Sequence, residues 1–442
     1  MCPRARVSAL GRTLAILAIA LSATGCTTTS AQPEEPVLQE LVRVPEDAAT
    51  ISDGVDLVAP GGMVLIAPGT YEEEVTVDKD DVTLRGEDRN ETIIDGGGTN
   101  SFGVFVPADG VRVENLTVHS TQFYGVLVTG MHDESGPLAH GGPGYTELDP
   151  ERFPPVERFS IDHVTAYNNG LYGIYAFNAR HGSITDSYAS GSADSGFYVG
   201  QCEDCDILVA GNVAERNAIG FENANASDSL TIAGNRFSGN RIGMTLISNY
   251  QEAFTPQREN AVFGNLIVDN ANGESPAHAL GGFGVGLAVN GGQRNVISAN
   301  RIEGNPTAGI LLSNSEDIPA EGNAFSDNAL SGNGVDAVDT SAERALGRGN
   351  CFDGAGPATS APEELRATSC PSDAVAPGGG TTPDVEVPRG MSFLQIPVPP
   401  AQPGLDDVRT PPQPLPAAVD MPAASEHPLP ERTLLEDRAA VR

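Results

Sequence analysis

The chain has 442 residues and is strongly acidic, with 59 Asp and Glu against 25 Lys and Arg and a formal net charge of −34. A surface of that sign repels nucleic acid. It also repels anionic polymers unless Ca²⁺ or a local arginine patch bridges the two. At the N-terminus, Arg4, Arg6 and Arg12 precede an apolar stretch from Leu14 to Leu21, which ends in Ser22-Ala23-Thr24-Gly25-Cys26. That stretch is too short for a spanning helix, and Gly-Cys supplies a small residue followed by a thiol.

The pattern resembles a bacterial lipoprotein signal peptide over residues 1–25, which implies export and lipidation at Cys26. The resemblance departs at Ala23, where a Leu is usual, and an ordinary cleaved signal peptide is the alternative. Residues 26–40 then read as a polar tether between a membrane anchor and a folded rod.

From Met63 the chain falls into short apolar runs cut by turn residues, including Met63-Val64-Leu65-Ile66, Val82-Thr83-Leu84 and Val111-Arg112-Val113. A Gly-apolar pair recurs at Gly173-Ile174, Gly196-Phe197, Gly220-Phe221 and Gly243-Met244, about 23 residues apart. A second phrase, Asn-x-apolar-x-x-Asn, spans 212–217, 235–240, 265–270, 300–305 and 323–328. One such unit cannot bury its own apolar face, whereas stacked units bury a continuous core, so the period predicts an all-β solenoid. Asn at the corners tolerates left-handed backbone, and in register it can bond into ladders.

Within that frame, Ala67-Pro68-Gly69-Thr70-Tyr71 and the turn Asp95-Gly96-Gly97-Gly98 resemble the entry coil of the pectin-lyase-like right-handed parallel β-helix superfamily. The resemblance implies such a helix over residues 41–350, with a short α-helix at Thr50–Val58 plugging its open end. It fixes no reaction, because the scaffold hosts lyases, hydrolases, esterases, epimerases and adhesins. Familiar reaction signatures are missing: Arg180 lacks an Arg-x-Pro-x-x-Arg context, Arg180-His181-Gly182 is not Gly-His-Gly, and Asp149-Pro150-Glu151 lacks a following His.

Insertions at 130–158, 249–260 and 271–284 interrupt the coils and should emerge as side loops able to wall a groove. The first carries His132, His140, Tyr145 and several acids able to hold Ca²⁺, and the last carries His278. Alternation from each Gly-apolar pair turns Ile174, Phe197, Phe221 and Met244 inward. It turns Tyr175, Tyr198, Glu222 and Thr245 outward in one row, with Asn178, Gln201 and Asn225 farther along the same strands. Rings and amides so placed suit sugar stacking and hydroxyl recognition, with Tyr172 nearby. Glu222, His181 and Asp194 are the candidate catalytic residues, and no metal ligand set is assigned.

Cys202 and Cys205 are expected to pair, as are Cys351 and Cys370, the latter forming a cap over 351–370. A redox or metal role for the Cys-x-x-Cys is the alternative. Residues 371–442 hold fifteen prolines and no cysteine, and read as a disordered or extended tail. Two functions remain open. One is an envelope lipoprotein that binds, and processes as a lyase, epimerase or glycoside hydrolase, a polysaccharide. The other is a non-catalytic rod for adhesion or spacing.

Overall fold

A computed structural model describes residues 37–138 and 146–440, so the N-terminal segment with Cys26, and His140 and Tyr145 of the first insertion, lie outside the described residues. Three parallel sheets of 12, 10 and 11 strands run the length of the chain. Each coil gives one strand to each sheet, as in Ser183–Thr185, Tyr188–Ser190 and Ser195–Glu203. Within these three sheets the strands pair in parallel with their equivalents one coil away, and the winding is right-handed. The first strand, Gln39–Val44, starts two residues inside the predicted tether.

Inside the solenoid the predicted inward row is continuous. Ile174, Phe197, Phe221, Met244, Leu287 and Ile310 lie in register on successive coils of the third sheet. All are fully buried. The corners are held by asparagine. Asn212 donates its backbone N–H and its side-chain amide to Asn235 Oδ1 at 2.9 and 3.0 Å, and Asn235, Asn265 and Asn300 repeat the pattern to Asn328. A second ladder climbs from Asn217 to Asn333, and a third links Asn260, Asn295, Asn323 and Asn350. Asn323 and Asn328 therefore sit one corner out of step with the other four copies of the phrase.

The helix Ile51–Leu57 closes the N-terminal end, with Thr50 accepting from the Asp53 N–H at 3.0 Å. Glu73 accepts the Ile51 and Ser52 N–H groups, so the first turn is capped twice over. Gly54 weakens a helix by propensity, yet a Cβ there would stand 3.0 Å from Val44 and 3.1 Å from Val64. Close packing on the core favours the glycine.

At the other end Cys351 bonds Cys370, and the 3₁₀ turn Glu363–Ala367 seats Leu365 in the main core beside Phe352. The second disulfide joins Cys202 to Cys205.

The disorder expected of the tail is corrected. Residues 371–440 are extended and docked along the solenoid, burying Ile396, Gln402 and Arg438. From the C-terminal cap the strand-free tail reaches Arg241, Asn168 and Asn90, turns near Arg85, and returns past Asp206 to Arg301. Proline lacks an N–H, so this segment offers mainly carbonyl acceptors. The solenoid answers with donors: Arg89 to Pro403, Arg241 to Pro388, Arg301 to Pro430, and Arg85 to Thr410. Arg89 is 1 % exposed, and burial, with the like charge of Arg438, brings it down to about 9.

Candidate acidic site on the third sheet

The outward row of the third sheet reads Phe105, Leu127, Tyr175, Tyr198, Glu222, Thr245, Ala288, Leu311, each in register with the next. Orientation follows the alternation, but exposure does not. Tyr175 and Tyr198 are 0 % and 1 % exposed, because the first insertion folds over them. Met131, Phe153, Leu138 and Leu148 join Tyr124, Tyr172, Tyr175 and Tyr198 in a second apolar cluster outside the coil. The Tyr175 and Tyr198 rings stack on each other at 4.3 Å, and Tyr172 meets Tyr198 edge-on at 5.2 Å. These rings are packing partners of one another and of the insertion, which corrects their assignment as an open sugar-stacking strip.

Asn178, Gln201 and Asn225 are corrected similarly. All have positive φ, at 53°, 47° and 43°, and their amides anchor loops. Asn178 donates to the Phe153 carbonyl. Gln201 accepts the Ala253 N–H at 2.9 Å, and Asn225 donates to the Glu252 carbonyl at 2.8 Å. His181 is also displaced from its assignment. Its imidazole lies between Asp206 at 3.2 Å and Glu157 at 3.5 Å, beyond the far end of the strand Ser195–Glu203 from Asp194.

Asp194 and Glu222 do come together, and the sequence reading missed their third member, Glu252. The insertion 249–260 brings Glu252 over the row, held by Gln201 and Asn225, and the Tyr198 hydroxyl donates to it at 2.8 Å. Burial pushes the Glu222 carboxyl well above the usual carboxylate range, and the negative charges of Asp194 and Glu252 add to the shift. Glu222 Oε2 is shielded and has no hydrogen-bond partner among the described residues. His278, from the insertion 271–284, stands 3.6 Å from Asp194, each side chain about one-sixth exposed.

On the same sheet the hydroxyls of Tyr124, Ser195 and Thr245 are buried with no hydrogen-bond partner among the described residues. Thr245 is the rung after Glu222, and Asp194 immediately precedes Ser195. Tyr124 titrates high through burial and then through the charge of Asp194. Buried polar atoms are nearly always paired, so a cluster of unpaired ones marks a place prepared for something else.

Among the described residues, Asp162, His163 and Asp186 form the one group close enough to share a cation, with ligand atoms within 4.8 Å. That group is already engaged. Asp162 accepts from Thr185 at 2.8 Å, and Arg438 lies 3.3 Å from Asp186.

Residues 253–361 match the family described as the right handed beta helix region. The chain is a right-handed parallel β-helix. Residues 70–279 of this β-helix match a second family, described as periplasmic copper-binding protein (NosD). Among solved structures it is similar to a mannuronan C-5 epimerase A-module (AlgE6) of Azotobacter vinelandii, at 17 % identity and TM-score 0.44 over 66 % of this chain and 71 % of that one. It is also similar to the pectate lyase Pel9A, at 14 % identity and TM-score 0.43 over 77 % and 79 %. A third likeness is to ORF18 of Geobacillus virus E2, at 14 % identity and TM-score 0.46 over 72 % and 62 %. No curated protein matches the sequence.

Proposed function

We propose that this β-helix is an exported, lipid-anchored envelope protein that binds a polysaccharide at Asp194, Glu222 and Glu252 and hydrolyses it. The observation that carries this reading is the coincidence of a buried Glu222 carboxyl whose protonated form is favoured, two neighbouring acids and three buried hydroxyls with no hydrogen-bond partner among the described residues. A protonated Glu222 can give its proton to a glycosidic oxygen, and a second carboxylate can then act as base or nucleophile. Tyr198 fixes one oxygen of Glu252, which suits it to the second role. Sugar hydroxyls would pair with Tyr124, Ser195 and Thr245. Two disulfides fit an oxidising compartment outside the cytoplasm. Among the described residues no helix is long and apolar enough to cross a membrane, so the proposed attachment falls to Cys26.

Copper, which the second matching family is described as binding, does not fit the described residues. Cys202, Cys205, Cys351 and Cys370 are tied up in disulfides, and Met131 accepts the Gln201 amide in a buried cluster. The remaining candidate group is held by Thr185 and Arg438.

The test is release of reducing ends from a panel of glycans by the wild type and by Glu222→Gln, which keeps shape but has no proton to give. The variant should lose about a hundredfold or more in rate with an unchanged fold. Equal rates would remove Glu222 from the chemistry, and silence of the wild type in both binding and cleavage would favour the inert rod. Cys26→Ser should release the protein from the membrane fraction.

A further inference from the structure

We propose that Arg241 anchors an enclosed anion site that takes one small monovalent oxyanion of the carboxylate or bicarbonate type. The site is independent of the glycan reading, since it uses none of the acids of the third sheet. Arg241 lies in the turn before the strand Ile242–Ile247 and is 2 % exposed. Its Nη2 donates to the Pro388 carbonyl at 2.7 Å. Its Nε and Nη1 are shielded from solvent and have no hydrogen-bond partner among the described residues. Three elements thus close on one side chain: the coil turn that carries it, the tail at Pro388, and the insertion 271–284, whose Phe283 ring lies 4.9 Å from the guanidinium carbon. A ring contact of that kind engages the cation's charge but accepts no in-plane N–H.

No carboxylate answers this charge. The residues in register with Arg241 on the adjoining coils are Ala218 and Gly284, neither of which has a polar side chain. Asp194 stands two coils away in the same row, about 10 Å along the stack, and faces His278. Burial alone draws Arg241 below the usual arginine range, with no negative group opposing it. An arginine still keeps its proton, and a buried charge is costly unless it is both paired and hydrogen-bonded.

The free donors define the ligand. Nη2 carries a second hydrogen, so with Nε on one edge, or with Nη1 on the other, it can present two parallel N–H groups to a planar oxyanion. One guanidinium balances one negative charge, whereas sulfate or a doubly charged phosphate would leave an excess charge buried. Enclosure by the insertion and the tail limits the ligand to a few atoms and excludes the carboxylate of a polymer. The insertion also holds Ser275, whose buried hydroxyl has no hydrogen-bond partner among the described residues and whose carbonyl accepts the Met391 N–H at 3.1 Å. That places a second orphaned polar atom beneath the same stretch of tail.

The probe is formate, and the readout is equilibrium unfolding of the full-length protein in urea, with ionic strength held constant by sodium sulfate. Unfolding releases the ion, so the measurement reports it even where exchange in the folded state is slow. Between about 1 and 100 mM, once formate exceeds its Kd, each tenfold rise should lower the unfolding equilibrium constant of the wild type about tenfold, as the release of one ion requires. Arg241→Met keeps the length of the side chain without its charge and should show no such dependence. An equal dependence in the two proteins would assign the effect to general salt action and overturn the proposal. Should the Met variant fail to fold, the wild-type series decides by itself: a steady gain in stability as formate replaces sulfate supports the site, and a flat or falling response overturns it.

Discussion

The same solenoid is covered in two different ways. Over the third sheet, the insertion loops bury tyrosines in an apolar cluster but leave Glu222 Oε2 and the hydroxyls of Tyr124, Ser195 and Thr245 without a hydrogen bond among the described residues. Along the rest of the solenoid, the proline-rich tail meets arginines and asparagines with its carbonyls, so most of the donors it covers are paired. A cover whose polar atoms are satisfied holds structure together, and one that leaves them unsatisfied prepares a site. Arg241 blurs that division, because its Nε and Nη1 remain unpaired beneath the tail.

The comparison breaks most visibly if the tail is removed. Deleting residues 397–442 keeps the Pro388 contact but strips carbonyl acceptors from Arg85, Arg89, Arg236 and Arg301. The donors uncovered in this way bond water instead, so at about 1 kcal/mol net for each hydrogen bond lost the change should be on the order of 5 kcal/mol in urea unfolding, with glycan binding retained. A tail that can be removed without change in stability would be an ornament.

Next in size is Tyr175→Ala. An exposed stacking ring could be cut with little change in stability, whereas this ring is fully enclosed, and its loss should lower stability by about 3–5 kcal/mol. Little change in the midpoint of thermal unfolding would return the row to solvent. Asn235→Ala should follow at about 2–3 kcal/mol, since it strands the Asn212 N–H and the Val209 carbonyl within the core of a ladder.

A pH series sharpens the contrast. Glu222 titrates higher in the folded chain than in the unfolded one, where the ordinary value is 4.5. Its stabilising contribution is therefore complete below about pH 4.5 and is lost as pH rises through the elevated folded value, at up to about 1.4 kcal/mol per pH unit for one proton. Urea unfolding should show that decline in the wild type and its removal in Glu222→Gln. A parallel decline in both would assign the slope to other groups. The smallest effect belongs to Tyr198→Phe, which removes the hydrogen bond to Glu252 and should cost about 1 kcal/mol of stability, with a larger change in the pH profile of cleavage than in binding.

Much of this was readable before any coordinates. Alternation from the Gly-apolar pairs identified the inward row, because a period of two has only two faces to choose from. Asn212 and Asn235 were placed as ladder residues, but the left-handed backbone also expected of them falls on the residues just before, Gly211 and Gly234. The same alternation put Glu222 outward, and Asp194 was named among the turns beside it. It could not say what covers an outward residue, which is why Tyr175 and Tyr198 were taken for a surface. Nor could it find Glu252, which reaches the row only because Gln201 and Asn225 hold its loop. The phase of Asn323 and Asn328 was similarly hidden, since unequal insertions shift which corner a repeated phrase occupies.

By itself, then, the sequence determined the coil: its period and its inward face are local or nearest-neighbour properties repeated along the chain, while the capping helix was expected from the family resemblance. Only the tertiary structure decided the coats. Whether a tyrosine is a platform or a core residue, whether a proline-rich tail is loose or laced to arginines more than 300 residues away, and whether three acids come together depend on contacts that carry no periodic trace in the chain.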